Sequence, residues 1–196
     1  DACREAIPLA LSRGVVSVHD KDGWLGALRV FQRLKDEGAL DLRIWQSLPW
    51  NHLERLREIG LASGLGDDFL RVGYIKAFLD GTLGSRTALM LDGSGVEIVG
   101  YEEFVDIVRR SARAGFPVAV HAIGDLANRR ALDAFEKTQD EWRPRGLRQR
   151  IEHAQLLAPE DVGRFAELGV AASVQFSHAA SDRDLAAIGL LQDPVR

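Results

Sequence analysis

Three residues in this chain have the type and placement to do chemistry together. Lys76 lies inside the apolar run YIKAFLDG, His121 ends the run FPVAVH, and His153 ends the run QRIEH. A lone histidine at a strand end is most simply held there by hydrogen bonds. Two of them closing consecutive strands are less easily set aside, because neutral imidazoles on neighbouring strands suit a divalent transition metal such as zinc. Lysine is seldom buried without a partner. The plain alternatives for Lys76 are an amine that reaches up to solvent or one that pairs with Asp80. Burial lowers an amine's pKa and frees its lone pair. Such an amine can attack a carbonyl to form a Schiff base, or take up carbon dioxide as a carbamate and become an anionic oxygen ligand. Spacing alone leaves both open.

To bring these residues together the chain needs elements that point the same way. The periodicity predicts helices over 2–12, 24–37, 51–60, 101–114 and from Asp125 to about Lys137, with Asp125 as a cap, then one beginning near Pro159 and a last one from Ser181. Between them, residues 15–18, 42–48, 71–79, 116–121, 149–154 and 170–175 read as short, β-branched or apolar strands. Strict alternation of strand and helix implies a parallel sheet with helices outside, either doubly wound or a closed (β/α)8 barrel. Six such units in 196 residues are about 33 residues each. Eight would need about 260, close to the ~250 of a typical barrel. The fold expected is therefore α/β, a (β/α)8 TIM-type barrel that is incomplete in this chain, with residues 1–196 as one partial barrel domain lacking the first and last strands. In a parallel barrel the C-terminal strand ends meet at one mouth, so Lys76, His121 and His153 are expected to converge there.

Composition narrows the class. Hydrophobic residues make up 46% and charged residues 28%, the balance of a soluble globular domain. The net charge of -4 and the lack of any Lys/Arg-rich run argue against a nucleic-acid surface. Arg109/Arg110 and Arg129/Arg130 read as solvated helix faces. No apolar stretch approaches the roughly 18 residues of a membrane span. The one cysteine, Cys3, excludes an internal disulfide and fits a reducing cytoplasm. The expected partner is a small-molecule substrate, with no nucleic acid or membrane. Composition leaves a homo-oligomer open.

The segments GVVSVHD, YIKAFLDGTLGSRTA, VAVHAIGDLANRRALDAFE, RIEHAQLLAPEDVGRFAELGV and SVQFSHAASD together resemble the amidohydrolase superfamily, over about residues 1–184. More narrowly they resemble the family-3 branch that includes N-substituted formamide deformylase-like enzymes. The resemblance implies a (β/α)8 barrel that hydrolyses amide or related C–N bonds with one or two divalent metal ions, zinc foremost. It implies that Lys76 is a carbamylated bridging ligand and that His121 and His153 are the ligands on the next two strands. It also suggests substrate contact for Gln175 and His178, with loop hydrogen bonding as the plain alternative. Asp80 and Arg86 lie in a loop expected to cover the mouth, and the glycines and polar residues of 80–95 predict a mobile lid. Arg86 is a candidate to bind a substrate carboxylate there, with a plain surface arginine as the alternative. Two parts of the family pattern have no counterpart here: His19 is followed by Asp20 rather than belonging to a His-x-His pair, and no residue is assigned to the aspartate that follows the eighth strand.

The mechanism this implies is metal-assisted hydrolysis through an activated water. The 196 residues alone, without the pair and the aspartate, are expected to be inactive. Two other functions remain open: a Schiff-base lyase or aldolase built on Lys76, and an inactive barrel kept as a binding module.

Overall fold

The structure is a computed structural model that describes residues 1–22 and 24–185. Six strands form one parallel sheet: β1 (Ser17–Asp20), β2 (Arg43–Pro49), β3 (Leu70–Phe78), β4 (Val118–Ala122), β5 (Arg150–His153) and β6 (Ala171–Ser173). Their spatial order is their chain order, and every neighbouring pair is parallel. A doubly wound sheet would reverse its order at a switch point, whereas a barrel does not. The sheet is also strongly curled. In a flat sheet, four spacings of about 4.8 Å would hold β1 and β5 roughly 19 Å apart. Instead Lys21, directly after β1, brings its ammonium 3.7 Å from the Glu152 carboxylate on β5. This is the incomplete α/β barrel that the strand–helix alternation implies.

The helices are α1 (Ala2–Ser12), α2 (Leu25–Asp36), α3 (Leu53–Glu58), α4 (Tyr101–Arg113), α5 (Asp125–Lys137), α6 (Gln139–Trp142), α7 (Pro159–Val162), α8 (Arg164–Leu168) and α9 (Phe176–Ser181). The main core lies between the sheet and these helices. Ile75, Ala77, Val118, Val120 and Ile151 from the strands pack on Phe104, Ile107, Leu132 and Phe135 from α4 and α5. A second cluster joins α1 and α2 to β2 through Ile7, Leu34, Leu42 and Ile44. Arg109, Arg110, Arg129 and Arg130 all form ion pairs on the helical surface. Among the described residues no helix is long and apolar enough to cross a membrane.

Some boundaries differ from the expected ones. β1 begins two residues later than its β-branched run suggests: the Val15 N–H is bonded to the Ala10 carbonyl in closing α1, and Val15 and Val16 are exposed. The segment 51–60 divides into a 3-10 turn, Trp50–His52, and the short α3. A short helix over 176–181 precedes the one expected from Ser181, of which residues 183–185 are helical; the chain expected to continue it beyond Leu185 lies outside the described residues.

Candidate active site

Strand alternation decides which side chains enter the barrel, and β3 carries the step that matters. Gln46 pairs with Val72 but Leu48 pairs with Ile75, so β3 holds one extra residue at Gly73–Tyr74. A bulge of this kind flips the faces of everything after it. Without it Ile75 and Ala77 would face the interior and Lys76 the helices. With it, Ile75 and Ala77 join the helix-facing core, and Lys76 and Phe78 line the interior cavity. That cavity has a volume of about 470 Å³. His19, Lys21, Arg150 and Glu152 share its wall with Lys76, His121, His153 and Gln175.

His121 reaches the cavity by ordinary alternation, with Val120 and Ala122 on the helix side. His153 does not. It shares its phase with Ile151, which is fully buried towards the helices. Its backbone instead turns into the left-handed region, with φ of 75° at His153 and 44° at Ala154. Such values are strained for residues with a Cβ, and strain of this kind gathers at functional sites. The turn lays the His153 ring edge-on against His121, with centroids 4.6 Å apart. His178 on α9 stacks on the His153 ring, with centroids 5.7 Å apart.

The hydrogen bonds fix which ring nitrogens are free. His121 Nε2 lies 2.8 Å from the Gly81 carbonyl, which can only accept, so Nε2 carries the proton and Nδ1 keeps its lone pair. Gln175 donates its amide to the Ser173 carbonyl, which turns its Oε1 towards His153. His153 Nδ1 therefore donates to Gln175 at 2.6 Å, and its Nε2 keeps the lone pair. Burial pushes the His121 pKa down to about 4 and lowers that of His153, so both rings are neutral near pH 7.

Lys76 is 3% exposed and its amine lies over the Phe78 ring, 4.2 Å from the centroid. Burial lowers its pKa to about 8, which puts a usable fraction of neutral amine at physiological pH. Beside it is a charged network that sequence reasoning passed over. Arg150 holds Glu152 at 2.7 Å and reaches Ser173, and Lys21 lies 3.7 Å from Glu152 and 3.7 Å over the Tyr74 ring. Burial brings Lys21 down to about 7. Burial alone would raise the Glu152 carboxyl, but the bonds from Arg150 and Ser173 and the charge of Lys21 hold it below the usual range. The signal was present in the alternation of R-I-E, which puts Arg150 and Glu152 on one face and Ile151 on the other.

The remaining site candidates fall in different places. Gln175 lines the cavity and orients His153, and His178 stacks at the rim. Asp80 is 1% exposed and does not line the cavity or pair with Lys76; its carboxylate accepts the N–H groups of Leu89, Ile123 and Gly124. Arg86 is exposed, at φ 55°, and lies outside the cavity lining. The loop 80–95, whose glycines suggest a mobile lid, is tied to its surroundings at several points. Besides the three bonds to Asp80, Gly81 and Val96 N–H groups bond to Thr87, and the Asp125 carboxylate accepts from Leu91 at 2.8 Å. Asp125 is accordingly the first residue of α5 and a loop anchor, and Gly124 holds the capping position.

Among the described residues no three His, Cys, Asp or Glu side chains come together to hold a metal ion. The donor types fit one all the same: two neutral imidazoles share one cavity wall, beside a buried amine whose pKa burial lowers.

A sequence profile of the amidohydrolase family matches residues 1–195. The chain is 33% identical to Protein LONG AFTER FAR-RED 3 of Arabidopsis thaliana, over 94% of this chain and 35% of that protein. It is 29% identical to the putative amidohydrolase YtcJ of Bacillus subtilis, over 93% and 36%. An uncharacterized metal-dependent hydrolase from Pyrococcus furiosus superposes with a TM-score of 0.80 at 35% identity, covering 91% of this chain and 38% of that one. The chain thus spans a little over a third of the length of these relatives. It belongs to the amidohydrolase family, in the family-3 branch of the superfamily.

Proposed function

We propose that this chain is part of a metal-dependent hydrolase acting on the C–N bond of a small, non-peptide amide or formamide-like substrate in the cytoplasm. The observation that carries the reading is the complementary pair of imidazoles. His121 offers Nδ1 and His153 offers Nε2, and each is held by a hydrogen bond at its other nitrogen, the arrangement that orients histidine ligands in metal sites. Lys76, carbamylated by carbon dioxide, would be the third ligand. One or two divalent ions, zinc by the nature of the donors, would be held there. A bound ion supplies Lewis acidity, which makes hydroxide available near neutral pH and polarises a scissile carbonyl. The chain's own residues orient and enclose: Gln175 fixes the His153 ring, Gly81 fixes the His121 ring, and Phe78 keeps water from one side of Lys76. Gln175 and His178 are placed at the rim, where a substrate would enter.

The test is metal content and turnover together. Zinc bound by the purified full-length protein should fall in His121→Ala and His153→Ala, and a strong chelator should abolish its hydrolysis of N-formyl or N-acyl amines until zinc is restored. The buried, partly neutral Lys76 also suits a Schiff-base enzyme. Chelator-resistant activity, with borohydride trapping a carbonyl substrate on Lys76, would replace the hydrolase reading with that one.

A further inference from the structure

Asp80 is buried at the end of β3 and yet carries three backbone hydrogen bonds from two other segments. Leu89 of the rim loop donates at 3.0 Å; Ile123 and Gly124, in the turn after β4, donate at 3.0 and 2.8 Å. A carboxylate in that setting joins three pieces of chain at one point. The next residue, Gly81, presents its carbonyl to His121 Nε2 at 2.8 Å, and an Asp80 oxygen lies 3.5 Å from the same nitrogen. The junction leaves no room for side chains. A Cβ on Gly81 would lie 1.9 Å from Thr87 Oγ1, and one on Gly124 would lie 2.0 Å from the Leu89 carbonyl oxygen. The backbone at Gly81 is therefore packed closely against the loop, and Asp80 is one of the groups that hold that loop in place.

We propose that Asp80 is a positioning residue for His121: by gathering Leu89, Ile123 and Gly124 it fixes the Gly81 carbonyl against Nε2 and so leaves Nδ1 free to face the cavity. The inference rests on reading His121 as a metal ligand, but the tautomer can be observed without any metal. An isosteric amide disrupts the junction, because Asn has one acceptor oxygen and would turn an NH2 group against N–H donors. Losing the orienting partner of a histidine ligand typically weakens metal binding by about 10- to 100-fold.

The experiment uses the purified protein and the variants Asp80→Asn and Asp125→Asn. Asp125 also anchors the rim loop, through Leu91, but does not reach His121. Nitrogen-15 NMR of labelled histidines in the metal-free wild type should show His121 protonated at Nε2. Asp80→Asn should shift it towards the other tautomer and weaken zinc binding, measured against a chromophoric chelator, by about 10-fold or more. Asp125→Asn should leave both readouts within about twofold of wild type, although it too loosens the loop. Wild-type His121 protonated at Nδ1 would overturn the proposal whether or not a variant folds. So would equal zinc affinities in the Asp80 and Asp125 variants. If instead His121→Ala binds zinc as wild type does, the ligand reading fails, and the tautomer measurement alone decides the role of Asp80.

Discussion

Replacing Lys76 by methionine should make the metal-free protein more stable while removing one of the three metal ligands proposed above. The two side chains are close in length, and methionine adapts to irregular apolar surroundings. What changes is the buried charge. Burial lowers Lys76 from 10.5 to about 8. At pH 7 both folded and unfolded states hold the proton, so the folded state bears the whole penalty. At about 1.4 kcal/mol per pKa unit, that shift is on the order of 3 kcal/mol. As pH rises from about 8 to 10.5 the folded protein releases the proton before the unfolded one does, and the penalty fades; above 10.5 it is gone. The charge of Lys76 also lowers Lys21, so its removal eases the burial of Lys21 as well. Urea denaturation in carbon dioxide-free buffer, without metal, should therefore give Lys76→Met a midpoint higher by about 1 M or more at pH 7, for a slope of about 1–3 kcal/mol per M. The gap should narrow steadily towards pH 11. A variant no more stable than wild type at pH 7, or a gap that widens with pH, would show that Lys76 is not a desolvated ammonium, and the case for a primed amine would go with it.

Two further outcomes follow from the backbone. His153→Gly and His153→Ala both remove the imidazole, but glycine adopts φ near 75° with the least strain, so the glycine variant should be more stable by about 1 kcal/mol in thermal or chemical denaturation; the reverse order would mean that the left-handed turn is absent. Gly124→Ala should destabilise by about 1–3 kcal/mol because its Cβ meets the Leu89 backbone, which cannot yield as a side chain can. Gly84→Ala, in open space on the loop that carries Leu89, should stay within about 0.5 kcal/mol of wild type.

Much of the architecture is legible in the residues themselves. Alternating β-branched runs and amphipathic segments specify parallel βαβ units, and right-handed crossovers between successive strands give a sheet whose spatial order is its chain order. The positions of Lys76 and His121 at strand ends are equally readable. Asp80 lies in the expected loop but not at the mouth. A polar residue next to glycine reads as exposed when the N–H groups it serves come from residues more than forty positions away. Its spacing to Ile123 and Gly124 carries no local signal. The pairing of Arg150 with Glu152 follows from period-two alternation on β5, but only the curl of the sheet, which brings β1 across to β5, adds Lys21 to the network.

The two features that the sequence concealed are both departures from regular strand geometry, and both act on candidate ligands. The extra residue in β3 turns Lys76 from the helix layer to the cavity. The left-handed backbone at His153 turns its ring the same way, against the phase of Ile151. Gly73 inside an apolar strand is the kind of residue that marks a bulge, so the first departure has a trace in the sequence. The second has only a faint one: histidine is enriched among the non-glycine residues found at positive φ, but the alanine that follows it is not. A barrel selected for stability alone would keep its strands regular and put apolar residues at both positions. Here the irregularities bring a lysine and a second histidine to the wall that His121 occupies by ordinary alternation. Local rules are broken where they stand between these side chains and the cavity, as expected where a site rather than a core sets the backbone.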